Sequence, residues 1–178
     1  MWPAGAVHWA ILAHPLHLQA VMSTRWKPNA TVAAIIERDG RYLLVEERTS
    51  GGLRLNNPAG QLELGESPIV ACQREALEET AHAFTPTHLL GVYLSRTIQD
   101  QDDITYLRLA FAGDLGAHDP QLALDEGIVR TVWMTLAEVQ ASQAIHRSPL
   151  VWQCVSDHAR GQRFPLEAVF THASVWAS

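Results

Sequence analysis

Three glutamates crowded on one helical face constrain this chain more than any other feature. Ser67-Pro68 reads as an N-cap followed by proline at the first helical position. The helix they open is predicted to run from Pro68 to about Thr80. With Glu75 taken as the origin, 100° per residue puts Glu78 at about −60° and Glu79 at about +40°. The three carboxylates therefore share an arc of about 100°. Like charges three and four residues apart each cost a few tenths of a kcal/mol. A hard divalent cation makes the arrangement favourable, because Mg²⁺ and Mn²⁺ prefer oxygen ligands. Glu63 and Glu66 lie just upstream, within reach of the same place from a loop. The plain alternative is a solvated acidic face on which Arg74 pairs with Glu78 at i,i+4.

Charge balance sharpens the question. Thirteen Lys+Arg against nineteen Asp+Glu leave a net charge of −6. That argues against a partner that is a nucleic-acid polymer or an anionic membrane. An acidic chain that handles anionic small molecules needs a positive bridge, and a metal ion supplies one. At 178 residues and 47% apolar, the chain can bury one core without disulfide or metal staples. Gly and Pro number 11 and 9, too few for a disordered or collagen-like chain. Cys72 and Cys154 form no CxxC pair, so neither a disulfide framework nor a zinc knuckle is expected, and a reducing, cytoplasmic setting is the simplest reading. No uninterrupted apolar run reaches membrane-spanning length.

Residues 1–24 have a different texture. The first 21 hold three of the nine His and two of the six Trp but no charged residue. They lack the basic start of a secretory signal, and read as an unstructured leader or an over-called start ahead of Met22. From Thr31 the pattern is regular, and a single domain is expected over residues 25–170, with 171–178 as a tail. Thr31 to Glu37 and Arg41 to Glu47 read as strands joined at the Asp39-Gly40 turn. Thr49 to Asn57 reads as loop, with Gly51-Gly52 as a breaker, and Gly60 to Leu64 as a short extended piece. His88 to Ile98 and Ile104 to Ala112 read as a long hairpin, residues 113–127 as loop, and Ile128 to Met134 as a further strand. Thr135 and Glu138 form a capping box over a short helix. Ser148-Pro149 opens another helix that ends near Gly161. The order implies a mixed α+β domain.

The spacing around the glutamates is specific: Gly60, five residues, Glu66, seven residues, then Arg74-Glu75-Ala76-Leu77-Glu78-Glu79. This resembles the Nudix box, G-x5-E-x7-R-E-U-x-E-E-x-G-U, with U a bulky aliphatic residue. Six fixed positions match, which at ordinary residue frequencies has a chance probability on the order of one in ten million per starting point. Ala81 replaces the closing Gly, His82 the aliphatic residue after it, and Ala76 is small for its position. A non-glycine residue in the left-handed helix-ending conformation costs about 1 kcal/mol; otherwise the helix runs on. Arg147 to Val151, Gly161 to Glu167, Lys27-Pro28 and Val45-Glu46-Glu47 resemble segments of the NudJ-type phosphatases within that family. Leu55 departs from their usual Trp.

The resemblance implies an α/β/α Nudix fold, with a mixed sheet layered between helices. It also implies a Mg²⁺-dependent (or Mn²⁺-dependent) hydrolase that cleaves phosphoanhydride bonds by water attack at phosphorus. The substrates implied are small: nucleoside tri- and diphosphates or thiamine-pathway pyrimidine diphosphates, with release of phosphate. The Gly60 carbonyl, Glu75, Glu78 and Glu79 would hold metal, with Glu78 the alternative general base. Arg74 would position the carboxylates, and Glu66 would orient the helix or ligate through water. A further acid is expected from Asp125 or Glu126, of which Glu126 is taken as the metal ligand. Arg96 and Arg108 on the long hairpin are the candidates for substrate phosphate. Tyr93, with Tyr106, Trp133 and Phe164, is a candidate ring-stacking residue, against core packing as the plain reading. His82, His118 and His146 lack ligand spacing. The chain is expected to act as a monomer or homodimer. Competing readings are a Nudix pyrophosphatase acting on ADP-ribose or oxidised nucleotides, and a Nudix-fold binding module without turnover.

Overall fold

The computed structural model describes residues 26–99 and 102–177; the expected leader lies outside them. Strand β1 (Asn29–Ile35) carries Val32 and Ala34, with Ile36 just past its end, toward one core cluster and Ala33 and Ile35 toward another. A strand buried on both faces needs this continuous apolar run rather than an alternating one. The chain leaves the first sheet after Ile35, and β2 (Glu37–Arg38) and β3 (Arg41–Thr49) form a hairpin in a second sheet. Asp39 and Gly40 turn it at φ 53° and 75°, the left-handed pair that a two-residue hairpin turn demands.

The stretch expected as loop contains strand β4 (Gly52–Asn56), antiparallel to β3. Gly52, at φ 94°, turns the chain rather than ending order. β5 (Ala59–Gln61) then crosses back to pair with β1. Helix α1 (Pro68–Thr80) follows, with the Ser67 hydroxyl accepting from the Val70 N–H. Its inward residues Ala71, Cys72 and Ala76 are small and fully buried, so the helix lies close against the sheet. That explains why a small Ala76 suits a position where bulk was expected. The helix ends at Ala81 in the left-handed conformation, φ 54° and ψ 24°, its N–H donating to the Leu77 carbonyl. The strained alternative is the one adopted.

The long hairpin extends beyond its expected bounds. β6 (His82–Gln99) and β7 (Asp102–His118) pair over most of their length. Register shifts at His82/Phe84, Pro86/His88 and Leu89/Gly91 accommodate the proline on this edge strand. The N-terminal part of the expected 113–127 loop is thus strand. β7 pairs in parallel with β1, giving the order β5-β1-β7-β6. In the second sheet, β8 (Ile128–Thr135) pairs with β3. The Thr135–Glu138 capping box forms in full and opens α2 (Leu136–Ala141). α3 (Leu150–Ala159) starts two residues after Ser148. α1 covers one side of the sheets, and α2 and α3 the other, the expected α/β/α layering. No helix among the described residues is long and apolar enough to cross a membrane.

Candidate active site

β5 delivers Gly60 to the flank of α1. A Cβ at Gly60 would collide with the Glu75 carboxylate, so glycine lets that carboxylate lie directly against β5. Arg74 organises the acids around it. Its Nε and Nη2 donate to the two oxygens of Glu66 at 3.1 and 2.8 Å. Nη1 donates to Glu75 Oε1 at 2.7 Å and to Glu78 Oε2 at 3.0 Å. Nη2 also reaches the Gln61 carbonyl at 3.0 Å. One planar guanidinium thereby ties the loop, β5 and the helix together. Glu66 accepts a further bond from the Glu63 N–H at 2.7 Å, and its Arg74 partner holds its carboxyl below the usual range.

Glu75 and Glu79 are buried. Burial outweighs Arg74 and pushes the Glu75 carboxyl up. Glu79 has one hydrogen bond, from the Ala59 N–H at 2.9 Å. Its carboxyl is pushed up to about 8, first by burial and then by the negative charges of Glu75, Glu47 and Asp125. Among the described residues no three acidic, His or Cys side chains converge as a ready-made cage, since Glu75 and Glu78 are turned onto Arg74. The donor set nonetheless fits a hard cation: carboxylates and a backbone carbonyl, with buried negative charge short of positive partners.

A cleft of about 390 Å³ opens between the two sheets beside Gly60. Its wall in the first sheet carries Thr31, Tyr106, Arg108, Ser95 and Thr97; Glu47 and Asn56 face it from the second, and Arg147 and Ser148 sit on the rim. Of the residues expected at substrate, Arg108 is here, 8% exposed, its guanidinium pKa lowered by burial. The structure does not bring Arg96 and Tyr93 to the cleft. Arg96, on the opposite face of β6 from Ser95 and Thr97, makes two 2.6 Å bonds to Asp103 across the hairpin. Tyr93 donates to Asp157 at 3.0 Å. Trp133 lies under Arg38 at 4.6 Å; among the four aromatic candidates it is Tyr106 that lines the cleft. Asp125 and Glu126 are both exposed on their loop; the Asp125 N–H bonds the Glu78 carbonyl at 3.0 Å, and the Asp125 charge acts on Glu75 and Glu79.

Sequence reasoning passed over Glu47. Its neighbour Glu46 turns outward to Arg130 at 2.9 Å. Strand alternation then sends Glu47 inward, where Arg147 Nε comes within 3.1 Å of its Oε1 and burial raises its carboxyl. Alternation along Val45-Glu46-Glu47 was the available signal; the hundred-residue reach to Arg147 left none.

The profile of the NUDIX domain matches residues 26–153. The chain is 35% identical over 145 residues to Phosphatase NudJ of Escherichia coli K12, covering 81% of this chain and 92% of that relative. Among solved structures, a NUDIX hydrolase from Nitrosomonas europaea superposes with a TM-score of 0.77 at 50% identity, covering 82% of this chain and 98% of that one. A MutT NUDIX hydrolase from Burkholderia pseudomallei shares the fold at 20% identity, with a TM-score of 0.62 and coverage of 74% and 98%.

Proposed function

The chain belongs to the Nudix family and is a hydrolase of phosphoanhydride bonds, and we propose that it is a Mg²⁺-dependent phosphatase of nucleoside tri- and diphosphates or thiamine-pathway pyrimidine diphosphates. The likeness to Phosphatase NudJ over most of both chains supports the phosphatase reading. The observation that carries metal dependence is Glu79, buried beside Glu75 and Gly60 with a single hydrogen bond and a carboxyl pushed up to about 8. A carboxylate in that position favours a cation over solvent.

In this reading the Gly60 carbonyl, Glu75, Glu78 and Glu79 hold the ion. Bound metal offsets phosphate charge and lowers the pKa of a water. Arg74 keeps the carboxylates from scattering while they wait for it. Glu78, the most exposed acid paired with Arg74, at 38%, is free to exchange that partner and serve as base. Glu126, or Asp125 beside it, whose charge acts on Glu75 and Glu79, supplies the additional acid. Arg108 contacts the substrate inside the cleft. The test is a phosphate-release screen over nucleotides and pyrimidine diphosphates with and without Mg²⁺. Mg²⁺-dependent release from at least one is expected; metal-independent release would overturn the metal reading.

A further inference from the structure

Unpartnered polar atoms gather in the cleft. Among the described residues the buried side-chain atoms without a hydrogen bond include Thr31 Oγ1, Asn56 Oδ1, and Nε and Nη1 of Arg108. All three side chains line the cleft and are more than nine-tenths buried, at 7%, 5% and 8% exposure. Thr31 and Arg108 face each other across the parallel β1–β7 pair. Each such atom costs about 1–3 kcal/mol if nothing meets it. With Glu47 Oε1, also without a hydrogen bond in the same cleft, they make a recess rich in unmet polar atoms.

The pattern of donors and acceptors identifies what kind. Arg108 offers only N–H groups, and the Thr31 hydroxyl adds another donor. Asn56 adds an acceptor beside these donors, its carbonyl oxygen having no hydrogen bond. A phosphate is a poor match, because it presents acceptors alone and would be repelled by that oxygen. A planar nitrogen heterocycle carries ring nitrogens or carbonyls beside an N–H or amino group on one edge, and matches both kinds. Tyr106, two residues from Arg108 on the same face of β7, supplies a flat surface against which such a ring lies.

Resting on the reading of the site as a phosphoanhydride hydrolase, we propose that Thr31, Asn56 and Arg108 are specificity-determining residues that read the polar edge of the substrate's heterocycle. The phosphates are left to the Gly60–Glu79 side of the cleft. Arg108 is then a ring-reading residue rather than the phosphate clamp expected from sequence.

The full chain is tested by calorimetry without divalent ions, against inorganic phosphate and against a panel of ring-bearing monophosphates: the four common nucleoside monophosphates and an aminopyrimidine monophosphate. At least one ring-bearing compound is expected to bind tenfold or more tighter than phosphate. In the Thr31→Val, Asn56→Leu double variant that margin should collapse to threefold or less. Thr31→Val alone, which exchanges a hydroxyl for a methyl, should reduce the margin at least threefold and serves if the double variant does not fold. Arg108→Met should also erase the margin. A margin that survives in Thr31→Val and the double variant overturns the proposal, as does equal binding of all compounds by the unaltered chain. A shifted melting temperature with an unchanged margin likewise overturns it, since the orphaned atoms would then hold ordered water only. Absence of any phosphoanhydride hydrolysis by the unaltered chain is a separate result, and overturns the parent reading instead.

Discussion

Two deeply buried carboxylates sit on opposite sides of the sheets and are treated in opposite ways. Asp157 on α3 is 4% exposed and Glu79 on α1 is 7% exposed. Asp157 accepts from the Tyr93 hydroxyl at 3.0 Å, from Gln153 at 3.1 Å and from Arg160. Glu79 accepts one backbone bond and faces other acids. A buried charge surrounded by donors belongs to the architecture; one surrounded by its own kind is held for something that comes and goes. The histidine near Asp157 follows the structural pattern. His158 lies within 3.0 Å of both the Tyr42 hydroxyl and an Arg163 nitrogen, and burial pushes it down to about 4, so it stays neutral at ordinary pH.

The sharpest way to break the contrast is to neutralise each carboxylate. Glu79→Gln should reduce diphosphate hydrolysis on the order of a thousandfold, while its melting temperature at pH 8 without divalent ions rises by about 2–4 °C. Unchanged turnover would remove Glu79 from the chemistry. Asp157→Ala should do the reverse. It leaves donors unmet and costs about 3 kcal/mol, a fall of roughly 6–12 °C by calorimetry, with turnover within about threefold of the unaltered chain.

Titration tests the burial of Glu79 directly. Glu79 has a folded pKa of about 8, above its ordinary 4.5, so between those values the folded state binds more protons than the unfolded one. Metal-free stability therefore falls as pH rises through that window, by at most about 1.4 kcal/mol per pH unit from this group. Thermal melts from pH 5 to 8 should show the decline in the unaltered chain and a shallower one in Glu79→Gln. An identical pH dependence in the unaltered chain and in Glu79→Gln would contradict the burial argument.

Smaller effects test the supports. Arg74→Lys keeps the charge but loses the planar fork that holds three carboxylates and the Gln61 carbonyl; turnover should fall about tenfold and stability by about 1 kcal/mol. Ala81→Gly relieves the left-handed cap and should raise stability by about 0.5–1 kcal/mol, net of a lost methyl contact, with kinetics unaltered. A decrease would mean that Ala81, 2% exposed, contributes more through packing than it costs in backbone strain.

What the sequence made legible was local. Ser67 and Pro68 fix the start of α1, Asp39-Gly40 fixes the first hairpin, and the box spacing fixes which acids share a face. Each depends on residues within a few positions of one another. Strand β4 was hidden because Gly51-Gly52 looks like a breaker when its cross-strand partners Glu46 to Thr49 are not considered. The far ends of β6 and β7 were hidden because bulges, invisible in composition, let Pro86 and Gly113 sit opposite each other in a ladder. The cleft was hidden most thoroughly. Thr31, Asn56, Arg108 and Arg147 come from separate elements, and none carries a local pattern that announces its neighbours. Arg96 and Arg108 look alike in sequence; strand parity alone puts one in solvent and the other in the cleft.

The parallel pairing of β1 with β7 has a kinetic consequence. Thr31 meets Arg108 across roughly 77 residues of chain, while β6 and β7 are neighbours in sequence and pair from Gln99 and Asp102 onward. The hairpin can close within microseconds of its synthesis, but β1, though β5 can cover one of its edges early, must wait for β7 to cover the other. Until then the sticky Val32 to Ile36 segment stands open. Refolding yield, rather than equilibrium stability, is where this protein should prove most sensitive to crowding by its own copies.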